Sequence, residues 1–93
     1  MSARVRVVEV LAWLEVEDPR LLEELRSEGL FVEDELAPEA CEELRVATTL
    51  MQELGVNPAG VGVALQLRRR LACLEARMRD LLQRLAEERS GDR

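Results

Sequence analysis

The chain contains no histidine, lysine, tyrosine or isoleucine, and every basic side chain among its 93 residues is an arginine. Histidine and lysine supply the commonest general base, a common metal-binding nitrogen and the Schiff-base nucleophile, so their absence closes the usual routes to catalysis. Arginine throughout, together with no isoleucine, is the pattern of a GC-rich coding bias. Aromatic side chains are limited to Trp13 and Phe31. Cys41 and Cys73 have neither CxxC spacing nor a histidine to complete a zinc site; lying in helical patterns, they are expected as small buried thiols. Ser2, Ser27 and Ser90 have no histidine to activate them. No apolar run approaches the roughly 20 residues of a membrane span. Met1 to Arg6 is short and carries two arginines, which does not suit a signal peptide. The expectation is a cytoplasmic, non-enzymatic protein with no cofactor, metal, membrane or small-molecule substrate.

What is present is aliphatic and charged. A chain of this length allows one small domain, with a core too limited to enclose a substrate pocket. Val5 to Val8 is a β-branched run that predicts a short strand leading into a helix over Val8 to Glu15. Asp18-Pro19 supplies an N-cap and a first-turn proline, so a second helix is expected over Pro19–Glu28, stopped by Gly29. Its buried stripe is Leu21, Leu22 and Leu25, continued by Leu30 and Phe31. Two short helices joined by a tight turn read as a helix-turn-helix pair. Val32 to Leu36 is an acidic connection. Pro38 opens a third helix reaching Gly55, with Cys41, Leu44, Ala47, Leu50, Met51 and Leu54 on its inner face.

Asn57-Pro58 repeats the start signal, and no breaker follows Gly62 before Ser90-Gly91. One helix of about 30 residues, roughly 45 Å long, is expected there. Along it Leu67, Leu71, Leu74, Met78, Leu81 and Leu85 alternate at four and three residues, the heptad pattern of a coiled coil. Such a helix is too long to pack its whole length on a small head. The stripe therefore predicts a homodimer interface, weighed against a helix that folds back on its own head. The expected organisation is a head over residues 1–56, a dimerisation helix over 57–90 and a disordered tail over 91–93. Gly60-x-Gly62 lacks the preceding strand and third glycine of a phosphate loop; close approach of the first turn to the head is the expected reason for these glycines.

Charge is unevenly divided. Met1 to Leu54 holds five Arg against fourteen Asp or Glu, a balance of −9, while Gly55 to Arg93 holds eight Arg against five acids, a balance of +3. A helix-turn-helix that reads DNA needs cations facing the phosphates. The second helix here carries Glu23, Glu24 and Glu28 against Arg20 and Arg26, with no Lys, Asn, Gln or Thr to reach base edges. DNA is thus not the expected partner. The candidate docking surface for a basic protein is the acidic face of Glu23, Glu24, Glu28, Asp34, Glu35, Glu39, Glu42 and Glu43; the alternative is a solvated acidic face. Arg68-Arg69-Arg70 fans around nearly a whole turn, so flanking salt bridges or solvation are expected ahead of phosphate contact. Carboxylate pairs such as Glu87-Glu88 show no sign of a desolvated cleft.

The order of elements resembles a reduced MerR-like winged helix, and the whole chain resembles the bacterial chaperone-modulator (CbpM-like) proteins. The resemblance is most specific from Leu50 to Leu71, where Glu53-Leu54-Gly55-Val56-Asn57, then Gly60-Val61, then a leucine-rich helix match the family's pattern; the Gly29-Leu30 stop matches too. It implies a mostly all-α fold, a helix-turn-helix head on a long C-terminal dimerisation helix. It also implies a protein that binds the J-domain of a DnaJ-like co-chaperone and keeps it from its Hsp70 partner. Within MerR-like proteins it implies antiparallel pairing of the long helices, and a DNA-binding transcriptional regulator as the alternative function. The chain departs from the DNA-binding members: Glu23-Glu24-Leu25 stands where they carry an Arg-Tyr-Tyr-like run, and only Val32 to Leu36 is available for a wing. The aromatic-containing strand that often precedes the third helix in chaperone modulators is also missing.

Overall fold

The computed structural model describes residues 3–91. In chain order these form β1 (Val5–Arg6), α1 (Val7–Trp13), α2 (Pro19–Ser27), β2 (Glu35–Leu36), α3 (Pro38–Gln52) and α4 (Pro58–Gly91). The protein is mostly helical, with one two-stranded sheet and a long C-terminal helix. It is elongated, about 62 by 31 by 21 Å, because α4 runs well beyond the head.

The start signals work as their chemistry demands. Asp18 Oδ1 accepts the Arg20 N–H at 2.9 Å with Pro19 in the first turn of α2, and Asn57 Oδ1 accepts the Gly60 N–H at 2.7 Å at the head of α4. That bond to Arg20 holds the Asp18 carboxyl below its ordinary value of 3.8. The stop after α2 is a Schellman turn: Gly29 sits at φ 77, Leu30 N–H reaches Leu25 O at 3.0 Å, and Gly29 N–H reaches Arg26 O at 2.9 Å. The same turn ends α1 with Glu15 in the glycine position at φ 61. There Val16 N–H bonds Leu11 O at 3.0 Å and Glu15 N–H bonds Ala12 O at 3.1 Å. With no glycine to announce it, this stop shortens α1 from the expected Val8–Glu15 to Val7–Trp13.

The strand expected over Val5 to Val8 shrinks to two residues. It pairs antiparallel with β2, Val5 opposite Leu36 and Arg6 opposite Glu35, inside the segment read as a plain acidic connection. Four residues in all make too short a pattern to signal pairing. Arg26 stabilises the approach to β2. Its Nε donates to Phe31 O at 2.8 Å and its Nη2 donates to Glu33 O at 3.2 Å and to Asp34 Oδ1 at 3.4 Å. Phe31, at φ 52, is thereby held in a left-handed conformation that a bulky residue rarely adopts. Arg26→Ala is predicted to cost about 2 kcal/mol of stability, because two carbonyls lose a charged donor. Arg26→Lys should not restore it, since an ammonium lacks the guanidinium fork. Chemical denaturation of the three proteins reads this directly; an unchanged midpoint for the alanine variant would contradict the role.

The core gathers Val7 and Val10 from α1, Leu21 and Leu25 from α2, Leu36 from β2, Leu44 and Ala47 from α3, and Val61 and Leu65 from α4. Leu22, Leu30, Phe31, Cys41, Leu50 and Met51 are half-buried around it. Thr48 is buried too, its hydroxyl donating back to Arg45 O at 2.9 Å, which is how a polar side chain enters that face. Three expectations fail here. Leu54 is exposed, because α3 ends at Gln52 and the chain turns through Gly55 at φ 68. Cys73 is exposed and Cys41 only half-buried, because residue 73 points away from both the head and the leucine stripe. The expected close approach of the α4 glycines to the head fails only for Gly62. A Cβ on Gly60 would meet Val56 Cγ1, packed against the core of the head, at 2.8 Å, while one on Gly62 would meet only Leu30 Cδ1 at an ordinary 3.8 Å.

Ser90 and Gly91 do not break α4, which includes both. Of the expected tail over 91–93, Gly91 is helical and 92 and 93 lie outside the described residues, as do Met1 and Ser2. No helix among the described residues is long and apolar enough to cross a membrane.

Candidate protein-interaction surfaces

The first surface begins on α2. Leu21 and Leu25 turn one side of this helix into the core, which leaves Glu23 and Glu24 turned away from it, while Glu28, the C-cap just past the last turn, is exposed because the helix ends there. All three are exposed, and among the described residues none has a cation within 4.0 Å. Glu35 and Glu39 are likewise exposed and without an ion-pair partner among the described residues.

The other three carboxylates of the expected face are already engaged. Asp34 lies 3.4 Å from Arg26. Glu42 meets Arg45 at 2.6 Å and Arg68 at 3.7 Å. Glu43 holds Arg69 in a two-pronged pair, at 2.6 Å to Nε and 2.8 Å to Nη2, with its own side chain only 12% exposed. The fold thus divides the eight residues into five carrying unbalanced charge and three that are largely neutralised. Glu39 and Glu43 border one groove with Arg68 and Arg69, and Glu35 and Glu43 border a separate shallow cavity of about 340 Å³. The three α2 glutamates line neither.

The salt-bridge expectation for the arginine triplet fits two of its members. Arg68 and Arg69 fasten α4 to α3, and Arg70 faces solvent. Hydrogen bonding from Arg45 holds the Glu42 carboxyl below its ordinary value of 4.5, with the Arg45 and Arg68 charges adding to the effect and partial desolvation opposing it. A lowered folded-state value means that this carboxylate contributes stability above pH 4.5, which is lost as the pH falls through the lowered value. Asp18 acts in the same direction. Acid is therefore predicted to weaken the Glu42–Arg45 pair within α3, the lesser attraction of Glu42 to Arg68 of α4, and the start of α2. Thermal melts of Glu42→Gln should depend less on pH between about 5 and 3 than those of the unaltered protein; equal slopes would mean that the Glu42–Arg45 pair adds nothing to stability.

No family model matches this chain. Neither does any curated protein or solved structure. What the surfaces offer a partner follows from their own chemistry.

The second surface is the outer part of α4. Leu67, Leu71, Leu74, Met78, Leu81 and Leu85 are each between 49% and 64% exposed. At 100° per residue they centre about 140° round the helix from Val61 and Leu65, the side chains that anchor it to the head. Every residue from Gln66 to Gly91 is exposed, so this helix does not fold back on its own head. Leu82 and Val63, each 58% exposed, widen the stripe beyond the six residues legible in its spacing.

Trp13 was legible and received no role. It is 86% exposed, off the Val7, Val10 and Leu14 side of α1. Its place outside that three-and-four spacing was the available signal. Beside the start of α2, Val8, Leu11, Ala12, Val16 and Leu22 line an apolar depression edged by Glu17 and Asp18.

Proposed function

We propose that this chain is a non-enzymatic interaction protein of the chaperone-modulator kind. Its head acts as a reduced winged helix-turn-helix that has exchanged nucleic acid for a protein partner. The partner is the J-domain of a DnaJ-like co-chaperone, held through its cationic face and so kept from its Hsp70 chaperone. The observation that carries this reading is the acidic surface of α2 and its C-cap, where Glu23, Glu24 and Glu28 stand exposed with no balancing cation among the described residues. Arg26, a cation that a DNA reader would aim at phosphate, is instead occupied with the carbonyls of Phe31 and Glu33. Such a surface attracts a cationic protein patch and repels polyanions.

The long helix joins two copies. Its apolar stripe faces away from the head, and no other part of the described chain covers it. Burying the remaining exposed area of six such side chains in each copy favours pairing by about 1 kcal/mol per side chain before association costs are subtracted.

Isothermal titration against a purified J-domain tests the first half of the proposal. Saturable binding that weakens with added salt is the expected result. No heat at high micromolar concentration, joined to a specific gel shift on the DNA upstream of its own gene, would favour the transcriptional alternative.

A further inference from the structure

The spacing of the α4 stripe does not choose an orientation for its partner. Leu67, Leu71, Leu74, Met78, Leu81 and Leu85 follow steps of four, three, four, three and four, which read the same from either end. A parallel copy places each residue beside its own equivalent. An antiparallel copy centred on Ala76 also fills all six layers, with Leu67 opposite Leu85, Leu71 opposite Leu81 and Leu74 opposite Met78. The positions beside the stripe must decide, as they do in coiled coils generally.

One border of the stripe is a ladder of arginines seven residues apart, Arg70, Arg77 and Arg84; the other runs Arg68, Glu75, Leu82 and Arg89. Arg70 and Arg77 have no carboxylate within 4.0 Å among the described residues, and Arg84 has its own Asp80 at 3.1 Å. Antiparallel pairing in full register sets like borders together. Arg70 then meets Arg84, Arg77 meets its equivalent, and Glu75 meets its equivalent. Every charged contact is repulsive, although Asp80 softens those of Arg84 in either orientation. Slipping by one heptad brings Arg68 to Glu75 but leaves Leu81 and Leu85 facing Ala64 and Gly60, at the cost of two leucine layers. Parallel pairing sets each border against the opposite one. Arg70 meets Glu75, the Arg77 stem lies over Leu82, and the single like-charge contact, Arg84 with Arg89, is softened by Asp80.

Repulsion between the acidic heads does not reverse this preference. The stripe lies about 140° from the head-bearing side of α4, so parallel heads sit on opposite flanks of a pair of helices whose axes are themselves about 10 Å apart. That separation exceeds the Debye length of about 8 Å at physiological salt. Against the antiparallel pairing that the MerR-like resemblance implies, we infer that two copies pair through α4 in parallel and in register, with Arg70 of each facing Glu75 of the other. The inference rests on the dimer proposed above and names its geometry. It places both acidic heads at one end, where they engage a two-headed partner with the gain of an intramolecular second contact.

Disulfide trapping in the full chain, carrying Cys41→Ala and Cys73→Ser, separates the outcomes. With parallel pairing, Leu67→Cys alone and Leu85→Cys alone each form a cross-linked dimer on mild oxidation, and mixing the two adds no mixed species. Cross-linking only in the mixture means antiparallel pairing and overturns the inference while leaving the dimer intact. No cross-link in any sample, with light scattering reading a monomer for the unaltered chain, overturns the dimer as well. A charge test gives opposite signs for the two orientations. Arg70→Glu weakens a parallel dimer by roughly tenfold, and adding Glu75→Arg restores it. In an antiparallel dimer the same Arg70→Glu change faces Arg84 and tightens association.

Discussion

Replacing Leu74 and Leu81 by glutamate is expected to leave the protein monomeric at every accessible concentration. Both side chains lie inside the stripe, at 52% and 57% exposed, and neither touches the buried cluster of the head. In a pair the substitutions place four carboxylates where apolar contacts had been, and each must either stay hydrated or give up its charge. A weakening of about a thousandfold or more follows from the lost burial and the unmet solvation together. The outer half of α4 should lose helicity as well, since an unpartnered helical segment is marginal in water. Light scattering and circular dichroism report the two effects separately. The head should keep its unfolding transition, because Leu25, Leu44, Val61 and Leu65 are untouched. A double variant that remains dimeric would show that the stripe is not the contact between copies.

Reversing Glu23, Glu24 and Glu28 to arginine is expected to weaken J-domain binding by about a hundredfold and to flatten its salt dependence. These three side chains are exposed and unpaired among the described residues, so the change acts on the partner and not on the fold. Two controls separate a local effect from net charge. Reversing Glu87 and Glu88, far along α4, alters total charge in the same direction but should weaken binding only slightly. Asp34→Asn should matter little, because Arg26 already offsets that carboxylate. The triple reversal should also gain non-specific affinity for DNA, visible at low salt. Unchanged J-domain affinity in the triple variant would move the docking face elsewhere on the head.

The long elements and their caps were legible because their signals are local. Asp18-Pro19 and Asn57-Pro58 start helices through bonds made within three residues, and the leucine stripe repeats often enough to be unmistakable. Features that depend on distant parts of the chain were not. The pairing of Val5 with Leu36 joins two strands of two residues each, too short to show alternation. The end of α1 at Trp13 depends on Glu15 adopting a conformation that normally calls for glycine. The acidic face was legible as composition but not as a surface. Which carboxylates remain free is set by Arg26, Arg45, Arg68 and Arg69, and all of these but Arg45 find their partners between 8 and 26 residues away. Charge counting makes Glu43 and Glu23 equal, whereas the fold encloses one in a two-pronged ion pair and leaves the other in water.

Amide chemical-shift changes on this chain, followed as a purified J-domain is added, locate the docking face residue by residue. Shifts are expected to cluster from Glu23 to Glu28, along α2 and its C-cap, and to fade as salt is raised, with the outer half of α4 unmoved. Shifts confined to α4, or none until DNA replaces the protein, would contradict a J-domain docked on α2.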